Sequence, residues 1–155
     1  GTTILPGQTI TMEHVLDQTC ITYPETYVRE MSGQQIKLIL EDVCDNLFNP
    51  DPYYQQGGDM VRVGGMDYVC DPGGSAGNRI SSMTLDNGTP VDPARTYKVA
   101  GWATVGSRAP GPPIWEVVAE YLRLTPVAKV NKLNTPVLRG VADNPGLSEY
   151  PGIVN

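Results

Sequence analysis

Histidine is nearly absent from this 155-residue chain, in which His14 is the only one. Metal catalysis needs clustered His, Asp, Glu or Cys ligands, and a serine triad needs a histidine base. His14 lies near Glu13 and Asp17 on a short predicted helix, where it is expected to be a surface or capping residue, and no G-x-S-x-G motif occurs. The sequence therefore predicts no catalytic residue and no metal ligand in this chain.

Positive charge and long apolar runs are also scarce. The chain has 11 Lys and Arg against 17 Asp and Glu, giving a net charge of −6, which disfavours nucleic acid and anionic membranes as partners. No apolar run approaches the roughly 20 residues that span a bilayer, and the first ten residues lack the features of a signal peptide. The protein is expected to be cytosolic, or else a fragment whose targeting signal lies upstream.

Cysteine is limited to Cys20, Cys44 and Cys70. An odd number of cysteines, about 25 residues apart, fits neither a disulfide framework nor the close ligand spacing of a zinc site. Free thiols in or near the core are the expectation, and one disulfide plus one free thiol is the alternative.

Three helices are predicted from apolar spacing and capping signals. The first begins near Thr11, and the second is "SGQQIKLILEDVCDNL", where Ser32 and Gln35 have capping-box spacing. Its Lys37 and Glu41 are expected to pair on the solvent side. The third, "IWEVVAEYLRL", follows Pro113. The predicted buried faces are Ile36, Ile39, Leu40, Val43 and Leu47 in the second helix and Ile114, Val117, Val118, Tyr121 and Leu122 in the third.

Four strands are predicted around these helices: "TYVREMSG", "MVRVGGMDYVC", "RISSMTLDNG" and "TYKVAGW". Turn signals separate the last three, so they are expected to be antiparallel neighbours in one sheet. "CDPGGSAGNR" then becomes a hairpin connection, with Arg79 in a structural role. The fold class is α+β (sandwich-like), with a mixed, largely antiparallel sheet and two main helices. Residues 1–124 are expected to form the domain, and 125–155 an extended strap on it.

Arginines and loop aromatics are the candidate binding residues. Arg62 alternates with Val61 and Val63 and precedes Gly64-Gly65, a pair that would let a ligand approach the backbone. The alternative is an outward-facing strand arginine paired with an acidic neighbour. Stacking surfaces are offered by Tyr23, Tyr53, Tyr54 and Trp102, which lie in or beside predicted loops.

The order of the segments resembles a known family. "GQTITMEHVLDQT", "EMSGQQIKLILEDV", "VRVGGMDYVCDP" and "GNRISSMTLDNGTPVDPARTYKVA" together resemble the C-terminal domain of the 5'-nucleotidase family over about residues 5–123. The resemblance implies a cap domain that recognises substrate, preceded by a metallophosphoesterase domain with two metal ions. It also implies a phosphate-contacting arginine upstream of Gly1. A chain holding only the cap is expected to be inactive.

Two family motifs that clamp a nucleoside base are replaced in this sequence. "ITYPETY" occupies the position of the first, and "GWATVGSRAPGPPIW", which lacks an aspartate for a ribose hydroxyl, occupies that of the second. With "GPPIWEVV", these replacements resemble the SoxB-type sulfohydrolases of the bacterial thiosulfate-oxidation (Sox) system. That group implies a periplasmic di-manganese enzyme that releases sulfate from a cysteine S-thiosulfonate on the flexible arm of a SoxYZ-type carrier protein.

The resemblance also suggests substrate-binding positions in this chain. Arg62, Gly64 and Gly65 match the ligand-facing strand end of the family, and Tyr23 and Arg108 occupy the two replaced motifs. No cofactor is expected in this chain itself. The alternatives are the cap of a 5'-nucleotidase or related phosphohydrolase, and a binding module without catalytic function.

Overall fold

A computed structural model describes residues 3–56, 60–103, 109–125 and 133–141. Within these ranges the fold is α+β, with three α-helices, one 3-10 turn (Pro52–Tyr54) and five strands. The α-helices are α1 (Met12–Thr19), α2 (Gly33–Phe48) and α3 (Ile114–Leu124). The strands are β1 (Tyr27–Ser32), β2 (Met66–Cys70), β3 (Ile80–Leu85), β4 (Thr96–Gly101) and β5 (Val137–Leu138). The predicted fold class is confirmed.

The chain divides into two compact units. Unit 1 comprises Gly1–Met31 and Thr96–Asn131, and unit 2 comprises Ser32–Arg95 and Lys132–Asn155. Because each unit draws on two separate stretches of sequence, the chain leaves unit 1 after β1, builds most of unit 2, and returns to unit 1 at β4.

Unit 1 contains α1 packed with α3, and β1 beside β4. Thr11 caps α1: its hydroxyl accepts a hydrogen bond from the His14 backbone, while its own N–H donates to His14 Nδ1 at 3.0 Å. The prediction of a capping histidine is therefore confirmed. This capping box gives a hydrogen-bond acceptor to two backbone N–H groups at the start of the helix, those of Thr11 and His14.

The predicted buried face of α3 is only partly right. Ile114 is buried, whereas Val117 and Tyr121 are 42% and 60% exposed. Val117 and Met12 line a shallow open groove of about 570 Å³ beside α1, so an amphipathic pattern on α3 does not become a closed core within unit 1.

Unit 2 holds the main hydrophobic core, in which α2 packs against the β2–β3 pair. The capping box at Ser32 and Gln35 is confirmed. The face of α2 that contributes to the core is shifted from the predicted one, since Ile39 is 40% exposed while Cys44 is fully buried. The buried cluster consists of Leu40, Cys44, Met66, Tyr68, Cys70 and Ile80, with Ile36 and Phe48 packed against it.

Glu41 is buried, and the prediction that it lies on the solvent side was wrong. Its carboxylate accepts three backbone hydrogen bonds, from Gly77 N at 3.1 Å, Arg79 N at 3.2 Å and Ile80 N at 2.8 Å. Lys37 Nζ lies 3.8 Å from it, as the i, i+4 spacing predicted. Hydrogen bonds from three backbone donors offset the cost of burying the charge.

Arg79 also links the connection between β2 and β3 to α2. Its guanidinium lies 2.7 Å from an Asp45 carboxylate oxygen, and its side chain is 18% exposed. The connection from β2 to β3 that contains Arg79 is a hairpin connection, because the two strands are antiparallel. The predicted structural role of Arg79 is confirmed.

The strands form two sheets where one was predicted for β2, β3 and β4. Unit 2 has the order β3-β2-β5, with β2 antiparallel to β3 and parallel to β5, while β4 lies beside β1. The chain leaves β3 because the segment before β4 caps α2: Pro93 O and Arg95 O accept the N–H groups of Gln34 and Gly33. These N–H groups have no partner inside the helix.

Candidate functional site

In unit 1 the two replaced motifs are joined by main-chain hydrogen bonds, which we call the clasp (residues 24–26 with 111–114). Thr26 N donates to Pro112 O at 3.0 Å, Gly111 N donates to Thr26 O at 2.8 Å, and Ile114 N donates to Pro24 O at 2.8 Å. The Thr26 hydroxyl adds a bond of 2.7 Å to Pro112 O. Segments that are more than 80 residues apart in sequence therefore form one local structure.

Glycine is required in the clasp by close approach. A Cβ atom at Gly111 would collide with the carbonyl oxygen of Thr26, which is backbone and cannot rotate away. At Gly101, at the end of β4, a Cβ would meet the Tyr27 ring, with its nearest atom, the hydroxyl oxygen, at 2.5 Å. The small residues thus let a turn and an aromatic ring come against the backbone.

Aromatic and cationic side chains lie close in sequence to the clasp residues in unit 1. Tyr23 is 40% exposed and Trp102 is 50% exposed, which is high for large rings. The Arg29 guanidinium lies over the Tyr27 ring, 4.4 Å from its centroid, so that Tyr27 is held on one face by a cation. Ala103 adopts a left-handed φ of +63°, immediately before residues 104–108. Arg108 lies outside the described residues.

In unit 2 the candidate residues Arg62, Gly64 and Gly65 form one turn that leads into β2. Gly65 has a φ of +85°, and no heavy atom lies within 4 Å of a Cβ built at either glycine. The space beside both glycines is therefore open, while the Gly65 N–H donates to Asn134 Oδ1 and the Gly65 C=O accepts from Asp86 N. Ligand binding at this turn stays a prediction. Arg62 is exposed and precedes the regular strand, which begins at Met66 and not at Met60 as predicted.

Asn134 holds this turn in place and was missed by sequence reasoning. Its Oδ1 accepts the Gly65 N–H at 3.0 Å, and its Nδ2 donates to Asp67 at 2.9 Å and to Asp86 at 2.8 Å. Val63 also forms a bridge with Asn134. Asn134 lies in a Pro-rich stretch with no periodicity, so no local signal distinguishes it.

The candidate residues therefore lie in two places. The structure brings Arg62, Gly64 and Gly65 together in unit 2, and it places Tyr23 next to the clasp of unit 1. The 3-10 turn after α2 carries two further aromatics, with Tyr53 92% exposed and Tyr54 62% exposed.

Perturbed pKa values occur in the core of unit 2. Burial raises the pKa of Tyr68 to about 12 and raises the pKa of both the Cys44 and the Cys70 thiols. Desolvation disfavours the charged forms of these groups, so they are neutral at physiological pH. These groups are closed off from solvent and belong to the core instead of the candidate site.

Among the described residues, no group of three or more His, Cys, Asp or Glu side chains lies close enough together to hold a metal ion. Among the helices that the structure describes, none combines the length and hydropathy needed to cross a bilayer.

Comparisons with solved structures show where this fold occurs. The sulfate thiohydrolase SoxB from Thermus thermophilus matches with a TM-score of 0.77 and 44% identity, over 90% of this chain and 27% of that one. The NAD nucleotidase of Haemophilus influenzae matches with a TM-score of 0.63 at 17% identity, over 83% of this chain and 26% of that one.

A 5'-nucleotidase precursor, also from Thermus thermophilus, matches with a TM-score of 0.59 at 20% identity, over 83% of this chain and 28% of that one. At such identities the two nucleotidases show the fold alone. This chain spans about a quarter to a third of the length of each of these proteins. A comparison with curated protein sequences gave no match.

The family model for the 5'-nucleotidase C-terminal domain matches residues 1–116. This range includes α1, β1, α2, the β2–β3 hairpin and β4, together with both halves of the clasp. The chain belongs to the 5'-nucleotidase C-terminal domain family.

Proposed function

We propose that this chain is the substrate-recognition domain of a sulfohydrolase that releases sulfate from a cysteine S-thiosulfonate on a carrier protein in thiosulfate oxidation. The observation that carries the proposal is the 44% identity to SoxB over 90% of the chain, against 17–20% for the two nucleotidases. Members of one fold family differ in substrate, so the residues of the candidate site must also suit this reaction.

The clasp supports the change of substrate. The segments at 21–27 and 101–115 are those in which the resemblance to base-clamping nucleotidase motifs breaks down, and in this fold they bond to each other. Their exposed rings, Tyr23 and Trp102, give an open surface that suits an extended peptide arm. The sequence between Gly101 and Trp115 has no aspartate for a ribose hydroxyl.

The anionic end of the proposed substrate, a sulfonate, requires hydrogen-bond donors. Arg62 is exposed beside the open Gly64-Gly65 backbone, and an arginine fork matches the oxygens of a sulfonate as it does those of a phosphate. We assign Arg62, Gly64, Gly65, Tyr23 and Arg108 to substrate binding.

Catalysis is assigned to a preceding domain that holds two manganese ions, since the described residues of this chain do not fit a metal. The chain on its own is then inactive, and the full-length enzyme works in the periplasm with a SoxYZ-type carrier. Residues 1–124 would form the cap and 125–155 the strap.

The test is sulfate release from a thiosulfonated carrier by the full-length protein. Arg62→Ala and Arg108→Ala should each lower kcat/KM at least tenfold while the metal content is unchanged, because each removes a charged donor to the substrate. Arg123→Ala is the matched control, since Arg123 is 72% exposed and pairs only weakly with Glu120 at 3.4 Å. Wild-type turnover in both variants would refute the site. Tight binding and hydrolysis of AMP would instead favour a nucleotidase.

A further inference from the structure

Two buried sulfur atoms lie close together in unit 2. Cys44 on α2 and Cys70 at the end of β2 are both fully buried, and their Sγ atoms are 2.8 Å apart. That is about 0.8 Å more than the length of a disulfide bond. Cys20, in contrast, is exposed, and it lies in unit 1.

The surroundings hold the two sulfur atoms in this position. Both belong to the cluster in which α2 packs on β2 and β3, and densely packed cores leave side chains little room to move. On one side, Glu41 bonds the backbone at residues 77–80, and the pair Arg79–Asp45 joins the same loop to α2. Both side chains are therefore enclosed between the helix and the sheet.

We propose that Cys44 and Cys70 form a disulfide bond when the protein folds in contact with a disulfide oxidant, and that Cys20 remains a thiol. The two thiols lose two protons and two electrons. A dithiol oxidoreductase in its disulfide form, or a small-molecule disulfide, accepts them and becomes two thiols. One cysteine first forms a mixed disulfide with the oxidant, and the second thiolate then displaces the oxidant's thiol.

The bond must form before the core closes. The attacking species is a thiolate, and burial raises the pKa of both thiols, so the folded reduced protein reacts slowly. For the same reason, a bond that has formed is shielded from reductants until the core opens.

The cross-link also concerns the candidate site. The two cysteines are 26 residues apart, and the loop that they close contains Arg62, Gly64 and Gly65. A bond at the base of this loop would restrict the turn to its folded position. The contact between Cys44 and Cys70 lies in the core, so the bond would form whatever the substrate of the full-length protein is.

Trypsin offers a direct test, because it separates the three cysteines. Cleavage after Lys37, Arg62 and Arg79 puts Cys44 in peptide 38–62 and Cys70 in peptide 63–79, while Cys20 lies in the peptide that ends at Arg29. The full-length protein is refolded with oxidised and reduced glutathione, unfolded in iodoacetamide, and digested without reduction. Mass spectrometry should find peptides 38–62 and 63–79 joined, and Cys20 alkylated.

Separate, alkylated peptides 38–62 and 63–79 after oxidative refolding would overturn the proposal, as would a cross-link to Cys20. Cys20→Ala should keep the bond, and this substitution at an exposed position is not expected to impair folding. Cys70→Ala should lose the bond. If that variant does not fold, the tryptic peptides of the wild-type protein decide the test alone.

Thermal unfolding gives a second readout. Reduction should lower Tm by roughly 10 °C in wild type and in Cys20→Ala alike, as expected for opening a loop of this length. An unchanged Tm in a sample that carried the cross-link would contradict its placement in the folded core.

Discussion

Unit 1 and unit 2 are stabilised in different ways. Unit 2 has a cluster of fully buried side chains around α2, β2 and β3, with a buried carboxylate that fixes the connecting loop. Among the described residues of unit 1, few are buried, rings such as Trp102 are half exposed, and main-chain hydrogen bonds join distant segments. The difference indicates that the closed core of unit 2 contributes more to stability than the described part of unit 1 does.

The largest expected effect follows removal of the buried carboxylate in unit 2. Glu41→Ala leaves three backbone N–H groups without their acceptor, so we expect the free energy of unfolding to fall by about 3–5 kcal/mol. Denaturant unfolding followed by circular dichroism measures it. Asp42→Asn, the exposed neighbour on α2, should change stability by less than about 0.5 kcal/mol. Equal effects of the two changes would show that Glu41 does not anchor the loop.

An intermediate effect is expected in unit 1. Gly111→Ala forces a methyl group against the Thr26 carbonyl and should cost about 1–3 kcal/mol of stability by opening the clasp. Because the clasp supports the proposed recognition surface, sulfate release by the full-length enzyme should fall as well.

Gly64→Ala serves as the matched control for stability, since no atom lies within 4 Å of the added group. A variant Gly111→Ala that is as stable and as active as wild type would mean that the clasp has no role in either property.

The smallest effect concerns Tyr68. Its hydroxyl is buried and has no hydrogen-bond partner among the described residues, so Tyr68→Phe should stabilise the protein by about 1 kcal/mol at neutral pH. A difference of the opposite sign would reveal a hydrogen bond to this hydroxyl.

The same hydroxyl gives a pH dependence. The pKa in the folded state, about 12, is above the ordinary tyrosine value of 10.0, so the unfolded chain loses this proton first. Ionisation of Tyr68 therefore leaves the free energy of unfolding unchanged below pH 10 and lowers it between pH 10 and about pH 12, by up to about 1.4 kcal/mol per pH unit. The wild type should lose stability relative to Tyr68→Phe across this window, as measured by denaturant unfolding at several pH values.

Local signals in the sequence predicted local structure well. The capping box at Ser32 and Gln35 fixed the start of α2, and the turn residues between Cys70 and Arg79 indicated the β2–β3 hairpin connection. In both cases the interacting residues are neighbours in the chain, so their spacing contains the information.

Long-range pairing could not be predicted in the same way. Glu41 has the spacing of a solvent-side residue, and only the arrival of residues 77–80 makes it a buried acceptor. The pairing of β4 with β1 depends on the path of Val91–Arg95 past the start of α2. For the candidate site, the Gly64-Gly65 pair indicated an open turn, but the support from Asn134 arises from a contact across 69 residues.

The short strand β5 has a consequence for how this domain should be delimited. It covers the side of β2 that β3 leaves free, and Arg139 N donates to Cys70 O at 2.9 Å beside it. A chain ending at residue 124 would leave β2 as an unprotected edge strand, with N–H and C=O groups available to a second molecule. A chain that includes residues 133–141 should therefore aggregate less than one that ends at residue 124.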